Sequence, residues 1–381
     1  MNEEINQPDT GDYDVYVPDI PVPDMAQPRE IPDAFVGGFK FCFIGSGQGG
    51  SRLAATFHHL GYGRVCCVNT AEQDLTHIRL PAERKYCFGT GGAGKDPQVA
   101  RTLLVEHKED VLDFMRRSFG AGWDRTFVCL GAGGGTGAGT AVHLVDAAVE
   151  LQKSLRCPTE KVGVIVALPK ISEGKRVSAN AYNTLKDLLF LRRKGSVSPL
   201  IICDNEKIGQ MYPSLPVDPF WDTANMSVCS LLHLFNIVSV KHSHYTSFDR
   251  HDLQTLLDSG LITFGATPVP KWDDATDISY AVRSNLKKNL LSGGIDLSTG
   301  TVAGVVIIGG VKVLSAMPQL NLDHGFEQLN RMLAGKSTVH RGIYRGNKEN
   351  TLVVYTLIGG LDDPVPKLEE LKKHGDLPEA A

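Results

Sequence analysis

The sequence predicts an α/β protein in which a parallel sheet covered by helices is joined by a long central helix to a smaller α/β domain. Three observations lead to this. Short apolar runs at 40–44, 64–69, 126–130, 161–168 and 200–203 are each closed by glycine or polar residues and followed by helical periodicity, the pattern of strands buried on both faces. After Pro219, the residues Val228, Leu231, Leu232, Phe235 and Val238 recur at i, i+3, i+4 spacing, which predicts a helix buried on at least one face and suited to be a spine between two domains. Beyond it, 261–267, 302–309 and 351–359 are apolar, β-branched runs separated by a helical segment near 324–333, a second and smaller layer.

The elements fall into five stretches. Residues 1–35 are acidic and proline-rich, with Pro8, Pro18, Pro21, Pro23, Pro28 and Pro32 and little to bury, so an extended tail is expected. A first domain over 36–220, the central helix over 221–245 and a second domain over 246–361 follow. From 362 to 381 one short amphipathic piece, 367–373, precedes polar residues, which predicts a mobile tail. Either tail is a candidate contact for an adaptor.

Composition narrows the function classes. A chain of 381 residues, 42% hydrophobic and 22% charged, is ordinary globular material with room for two cores. A net charge of -4 provides no general basic surface, so direct DNA binding is not expected. No run approaches the roughly 20 apolar residues of a membrane span, and the acidic N-terminus lacks the regions of a signal peptide; a cytoplasmic protein is expected. Cys42, Cys66, Cys67, Cys87, Cys129, Cys157, Cys203 and Cys229 show no CxxC spacing and are read as buried, reduced thiols.

Two glycine clusters carry the chemistry. Gly45-Ser46-Gly47-Gln48-Gly49-Gly50 follows a strand and precedes a helix, which satisfies the dinucleotide-binding pattern. The second strand, however, ends in Asn69-Thr70 where a nicotinamide-binding site needs a carboxylate for the ribose, so an oxidoreductase is disfavoured. The second cluster, Gly131-Ala132-Gly133-Gly134-Gly135-Thr136-Gly137-Ala138-Gly139, again links a strand to a helix. Consecutive glycines let backbone N–H groups converge on an anion, and the following helix adds its positive end. Neither cluster ends in the Gly-Lys-Ser/Thr of a Walker loop.

The run Gly133–Gly139 matches the GGGTGxG hallmark of the tubulin/FtsZ superfamily, and from about 39 to 361 the sequence resembles that superfamily in the order of its other motifs. The resemblance implies a Rossmann-like GTPase domain, bound GTP or GDP with Mg2+, and head-to-tail assembly of identical subunits. It implies a nucleotide site built from Gly47, Gln48, Gly49, Gly50, Ser51, Asn69, Gly133, Gly134, Gly135, Thr136 and Gly137. The stretch Gly91-Gly92-Ala93-Gly94-Lys95 resembles the family's γ-phosphate loop, giving Gly92, Ala93 and Gly94 through their backbone amides, with Lys95 either a cation for the phosphate or a solvated side chain. Glu173 and Arg176 stand in an EGKxR-like stretch as ribose and nucleotide contacts, and Arg176 comes one residue early. Asn205 falls where the family reads the guanine edge. An aromatic with an amide four residues on is the family's base clamp, and Trp221 with Asn225 has that i, i+4 spacing, whereas Phe220 is followed at that distance by Ala224.

The stretch 247–253 resembles the family's catalytic loop NxDxxD, with Asp249 and Asp252 at the acidic positions and Ser247 in place of asparagine. In the family this loop enters the neighbouring subunit's site, where its acids orient and polarise the attacking water. Ala71 replaces a further family aspartate. The implied activity is therefore assembly-dependent GTP hydrolysis to GDP and phosphate; the alternative is a GTP-binding scaffold without significant turnover. Residues 47–51, 92–96 and 204–205 look closer to plasmid- and phage-borne segregation filaments, while Ile295-Asp296-Leu297-Ser298 matches division proteins. Both branches stay open, for DNA or phage positioning or for cell division.

Overall fold

The apolar runs form strands because each is flanked on both sides of the sheet by helices that need a surface to cover. The computed structural model describes residues 37–211, 213, 216–287 and 293–378; the expected tail over 1–35 lies outside them, as do 379–381. In chain order the elements are β1 (Phe41–Ser46), α1 (Gly47–His59), β2 (Val65–Asn69), α2 (Glu72–Thr76), β3 (Lys85–Cys87), α3 (Pro97–Glu106), α4 (Lys108–Phe119), β4 (Arg125–Gly131), α5 (Gly135–Ser154), β5 (Val162–Leu168), α6 (Lys175–Arg193) and β6 (Val197–Asp204). Then come α7 (Asn205–Met211), α8 (Val217–Val238), α9 (Arg250–Leu257), β7 (Leu261–Pro268), α10 (Ala275–Lys287), β8 (Val302–Gly309), α11 (Val311–Ala316), α12 (Gln319–Met332), β9 (Thr338–Arg345), β10 (Leu352–Leu361) and α13 (Val365–His374).

One sheet runs through the described residues in the order β3-β2-β1-β4-β5-β6-β7-β10-β8-β9. Every pairing from β3 to β7 is parallel; β10 runs antiparallel to both β7 and β8, and β8 pairs parallel with β9. The smaller layer thus continues the first sheet, through a β6–β7 seam whose register comprises Leu200↔Leu261 and Ile201↔Ile262. Successive residues of each strand feed opposite cores, as the pleat requires. Phe41 and Phe43 join α1, α8 and α9 on one face; Cys42 and Ile44 join α4, α5 and α6 on the other.

Several boundaries differ from expectation. The central helix runs from Val217 to Val238 instead of 221–245: Pro219 falls in its first turn, where the missing N–H costs nothing. Residues 239–249 leave the helix and run along β9. The chain from 362 is a docked helix, α13, with Lys367 and Leu371 buried, not a mobile tail over that stretch. The cysteines are all free thiols, six buried, but Cys87 and Cys157 are only half-buried. Burial lifts Cys67 and Cys203 to about 12, leaving them without thiolate to react.

Inside α8, His233 is buried with its Nδ1 3.4 Å from the Tyr62 hydroxyl. Burial, with a smaller push from the Lys241 ammonium, lowers the imidazole from 6.5 to about 4. A group depressed in this way stabilises the fold above its unfolded value, and the benefit is lost as pH falls towards the folded one. The protein is therefore expected to lose about 2 kcal/mol of stability between pH ~7 and ~5 from this residue. Equilibrium denaturation at both pH values checks it, and His233→Leu should remove most of the slope.

Candidate functional site

Parallel strands leave their C-terminal ends on one edge, and here the register aligns those ends closely. Ser46 pairs with Val68 and Leu130, Gly131 with Ala167, and Leu168 with Asp204. The loops after β1, β2, β4, β5 and β6 therefore emerge side by side, as in other open α/β sheets that bind ligands at this edge. These loops contain all of the predicted nucleotide contacts except Trp221 and Asn225, which lie in the first turns of α8, and the 92–95 loop.

The helices that follow the two glycine clusters open onto this edge without caps, as does α6. At α1 and at α5 no side chain caps the first turn, and neither first turn carries an acidic residue. Their free N–H groups and positive ends are available to an anion. By contrast α3, also at this edge, is capped by the Asp96 carboxylate, which accepts from Gln98 N at 3.0 Å. Gln48, Gly49 and Gly134 are exposed at the mouth, with Gly47, Gly50, Ser51, Gly133, Gly135, Thr136 and Gly137 buried behind them. A phosphate group fits this donor set.

Two of the glycines are required by close approach. A Cβ on Gly50 would lie 2.1 Å from the Cys129 carbonyl oxygen, so α1 could not sit against β4. A Cβ on Gly135 would lie 2.7 Å from Cβ of Ala93, so the 92–95 loop could not close on the second cluster. Side chains finish the joint. The hydroxyls of Thr136 and Thr70 are 2.7 Å apart, those of Ser46 and Thr140 are 2.6 Å apart, and Asn180 Nδ2 donates to the carbonyls of both Lys95 (3.0 Å) and Gly133 (3.2 Å). Asn69 is fully buried, and its Oδ1 accepts from Thr70 N (2.8 Å) and Thr136 Oγ1 (3.3 Å); its side chain braces the loops. Lys95 is exposed at φ 61, a left-handed conformation that costs an L-residue about 1 kcal/mol.

On the far side of the cleft, Glu173 Oε1 accepts from Lys170 N at 2.8 Å, and Glu206 Oε2 accepts from Ile171 N at 3.1 Å. Arg176 is ion-paired with Asp96 at 3.3 Å. Phe220 and Ala224 are buried, whereas Trp221 and Asn225 are half-buried on the outer stripe of α8. Lys170 Nζ lies 4.9 Å from the Phe220 ring centroid, and the Phe220 and Trp221 rings meet edge to face at 5.1 Å. Asn205 opens α7 half-buried.

The predicted acids lie elsewhere. Asp249 caps α9, and the two acids form a reciprocal box: Asp249 Oδ1 accepts from Asp252 N (2.9 Å) and Asp252 Oδ2 accepts from Asp249 N (3.0 Å). The next residue, Arg250, bonds Asp124 at 2.8 Å and stacks on Phe39. Asp124 and Phe39 precede β4 and β1, so α9 begins at the N-terminal ends of the strands whose C-terminal ends carry the glycine loops. A strand of this length separates the two by about 20 Å, so one chain does not bring its acids to its own loops. Ser247 Oγ accepts from Ser243 N at 3.1 Å within the loop.

Residues that sequence reasoning missed are Asn180, Asp96, Thr70 and Thr140, which brace the loops, and His340, whose Nδ1 is 2.5 Å from Asp252 Oδ1. For Asp96 the signal was present in Asp-Pro opening a helix; His340 carried none. Among the described residues no group of three or more His, Cys, Asp or Glu converges as a metal site, and no helix is long and apolar enough to cross a membrane.

No protein-family model matches the chain. It is similar to the tubulin-like protein CetZ of Pyrococcus horikoshii, 27% identical over 335 residues that cover 84% of each chain. It is also similar to cell division protein FtsZ 1 of Pyrococcus furiosus, 26% identical over 356 residues, 91% of this chain and 87% of the relative. In structure it matches a GTPγS-form protofilament of TubZ from Bacillus thuringiensis serovar israelensis with a TM-score of 0.77 at 22% identity, covering 89% of this chain and 92% of the other. In sequence the chain is thus similar to CetZ and FtsZ proteins, and in fold, with this sheet and its paired glycine loops, it is similar to TubZ.

Proposed function

We propose that the protein binds GTP at the C-terminal edge of its sheet, assembles head-to-tail into filaments, and hydrolyses GTP at the contact between subunits. The observation that carries this reading is the separation of the uncapped glycine loops from Asp249 and Asp252 at opposite ends of β1 and β4. Opposite ends meet when a second copy stacks in the same orientation. Such a contact is heterologous, and repeated without closure it makes a filament.

In that arrangement the backbone amides of 47–50 and 133–137 bind phosphates, the 92–95 loop covers the terminal phosphate, and Glu173 holds the ribose. Trp221 stacks on guanine while Asn205 and Asn225 read its edge, amides being both donors and acceptors. Asp249 and Asp252 of the adjoining subunit orient and polarise the attacking water. Bound magnesium would supply charge neutralisation across the phosphate oxygens; the residues around the loops leave it to be held mainly by the nucleotide itself. The filaments would serve DNA or phage positioning or cell division, in the cytoplasm, with an adaptor bound through a terminal segment.

The test is GTP turnover against protein concentration, followed together with right-angle light scattering. Turnover per subunit is expected to rise from near zero above a threshold shared with scattering. A rate linear from the lowest concentration would sink the shared site, and assembly with GTP but no turnover would make the protein a scaffold.

A further inference from the structure

We infer that His340 on β9 is a positioning residue for hydrolysis, holding Asp252 in the orientation that the neighbouring subunit's nucleotide meets. This rests on the shared-site reading above. The loop from α8 to α9 is stapled to β9 along its length. Ser243 Oγ donates to the Ile343 carbonyl, Ile343 N donates to Thr246 O at 2.8 Å, and Phe248 N donates to the Tyr344 hydroxyl at 2.9 Å. The contact between His340 Nδ1 and Asp252 Oδ1, at 2.5 Å, is the fourth staple. It acts on the acid itself, whereas the other three act on backbone around it.

The two acids are not equally free. Asp249 is exposed, while the Asp252 side chain keeps 19% of its surface and His340 keeps 17%. One Asp252 oxygen accepts from Asp249 N and the other meets His340, so both are committed to fixed donors. The His340 Nε2 is buried with no hydrogen-bond partner. Leaving Nε2 unpaired costs free energy, and the bond to Asp252 is the polar contact that the structure gives this imidazole in return. His340 shares its β9 face with Gly342 and Tyr344, where a Cβ on Gly342 would lie 2.8 Å from that of Phe248. The loop and strand are in direct contact there, which fixes the distance across which the imidazole must reach. Without it the carboxylate keeps only the Asp249 N bond and can turn about its own side-chain torsions.

The experiment measures turnover per polymerised subunit, above the assembly threshold and at saturating GTP, for wild type, His340→Ala, His340→Asn and Asp249→Asn. A hydrogen bond to a charged group is worth enough that His340→Ala should slow turnover by about tenfold or more, with the assembly threshold within about twofold of wild type. In His340→Asn the amide Nδ2 takes the place of Nδ1, and turnover should return to within about threefold. A role in folding alone would shift the threshold and leave turnover in polymer unchanged, and that result overturns the inference. So does an asparagine variant that assembles but hydrolyses as slowly as alanine. If wild-type turnover shows no assembly threshold, the shared site itself is wrong; if the threshold holds and Asp249→Asn loses turnover while both His340 variants keep it, only the role of His340 falls.

Discussion

Asp249→Asn is expected to assemble at the wild-type threshold and to hydrolyse GTP at least about 100-fold more slowly, the usual weight of a group that handles the proton of the attacking water. Asparagine is the informative substitution because Asp249 has a structural job beside the proposed catalytic one. Its Oδ1 accepts from Asp252 N and so starts α9, and asparagine caps a helix about as well as aspartate while carrying no charge. Alanine should show the same loss of turnover plus about 1 kcal/mol of lost stability. Steady-state turnover with scattering, and thermal denaturation of both variants, separate the two contributions. Equal turnover in wild type and Asp249→Asn would remove Asp249 from the chemistry.

Lys367→Met is expected to destabilise the protein by about 3–5 kcal/mol, because it strands a buried carboxylate. Lys367 Nζ lies 2.8 Å from Asp204 and 2.8 Å from Glu370, and the Lys367 and Asp204 side chains are each 4% exposed. Burial alone would pull the ammonium down, but the hydrogen bonds to Asp204 and Glu370 more than offset it, and the net effect raises Lys367. A raised lysine contributes below its ordinary value and loses that contribution only as pH climbs through the folded one, so the contribution of Lys367 itself should be flat across neutral pH. Adding Asp204→Asn removes the stranded charge and should recover most of the stability, while keeping an acceptor for Glu206 N, now bonded to Asp204 Oδ1 at 3.1 Å. Denaturant midpoints of the single and double variants check it. Asn205 follows Asp204 directly, so the single variant should also bind GTP more weakly.

The reach of the sequence depends on where order is local. Strands buried on both faces declare themselves as apolar runs, and β1, β2, β4, β5, β6, β7, β8 and β10 were all legible for that reason. The glycine clusters were legible because close backbone approach admits one residue type, as at Gly50 and Gly135. The outermost strands were not: β3 is a three-residue strand, and β9 reads Thr-Val-His-Arg-Gly-Ile-Tyr-Arg, its charged residues marking an edge. The docking of α13 was hidden because a lysine is ordinarily a solvated residue, and only a partner from a distant strand makes Lys367 a buried one. The choice of Trp221 over Phe220 rested on the residue four positions beyond each. The candidate site, including the entry of 247–253 into a neighbouring subunit, came by resemblance; what the structure adds is that the glycine loops and the acids lie at opposite ends of β1 and β4.

The seam between β6 and β7 has a mechanical meaning. Two residue pairs of the sheet join the half that carries the glycine loops to the half that carries β8, β9 and β10, and Arg125, almost wholly buried, bridges it by donating to the carbonyls of Ser198 and Leu257 while pairing with Asp258. In a head-to-tail stack each subunit sits in series with the next, so a small rotation about this line would add up along the filament. Arg125 is not alone on that line, since Lys367 on Asp204 and Arg192 on Asp363 tie the same two halves, so it would act as a riveted flexure whose bending stiffness is set by a handful of ion pairs and hydrogen bonds per subunit.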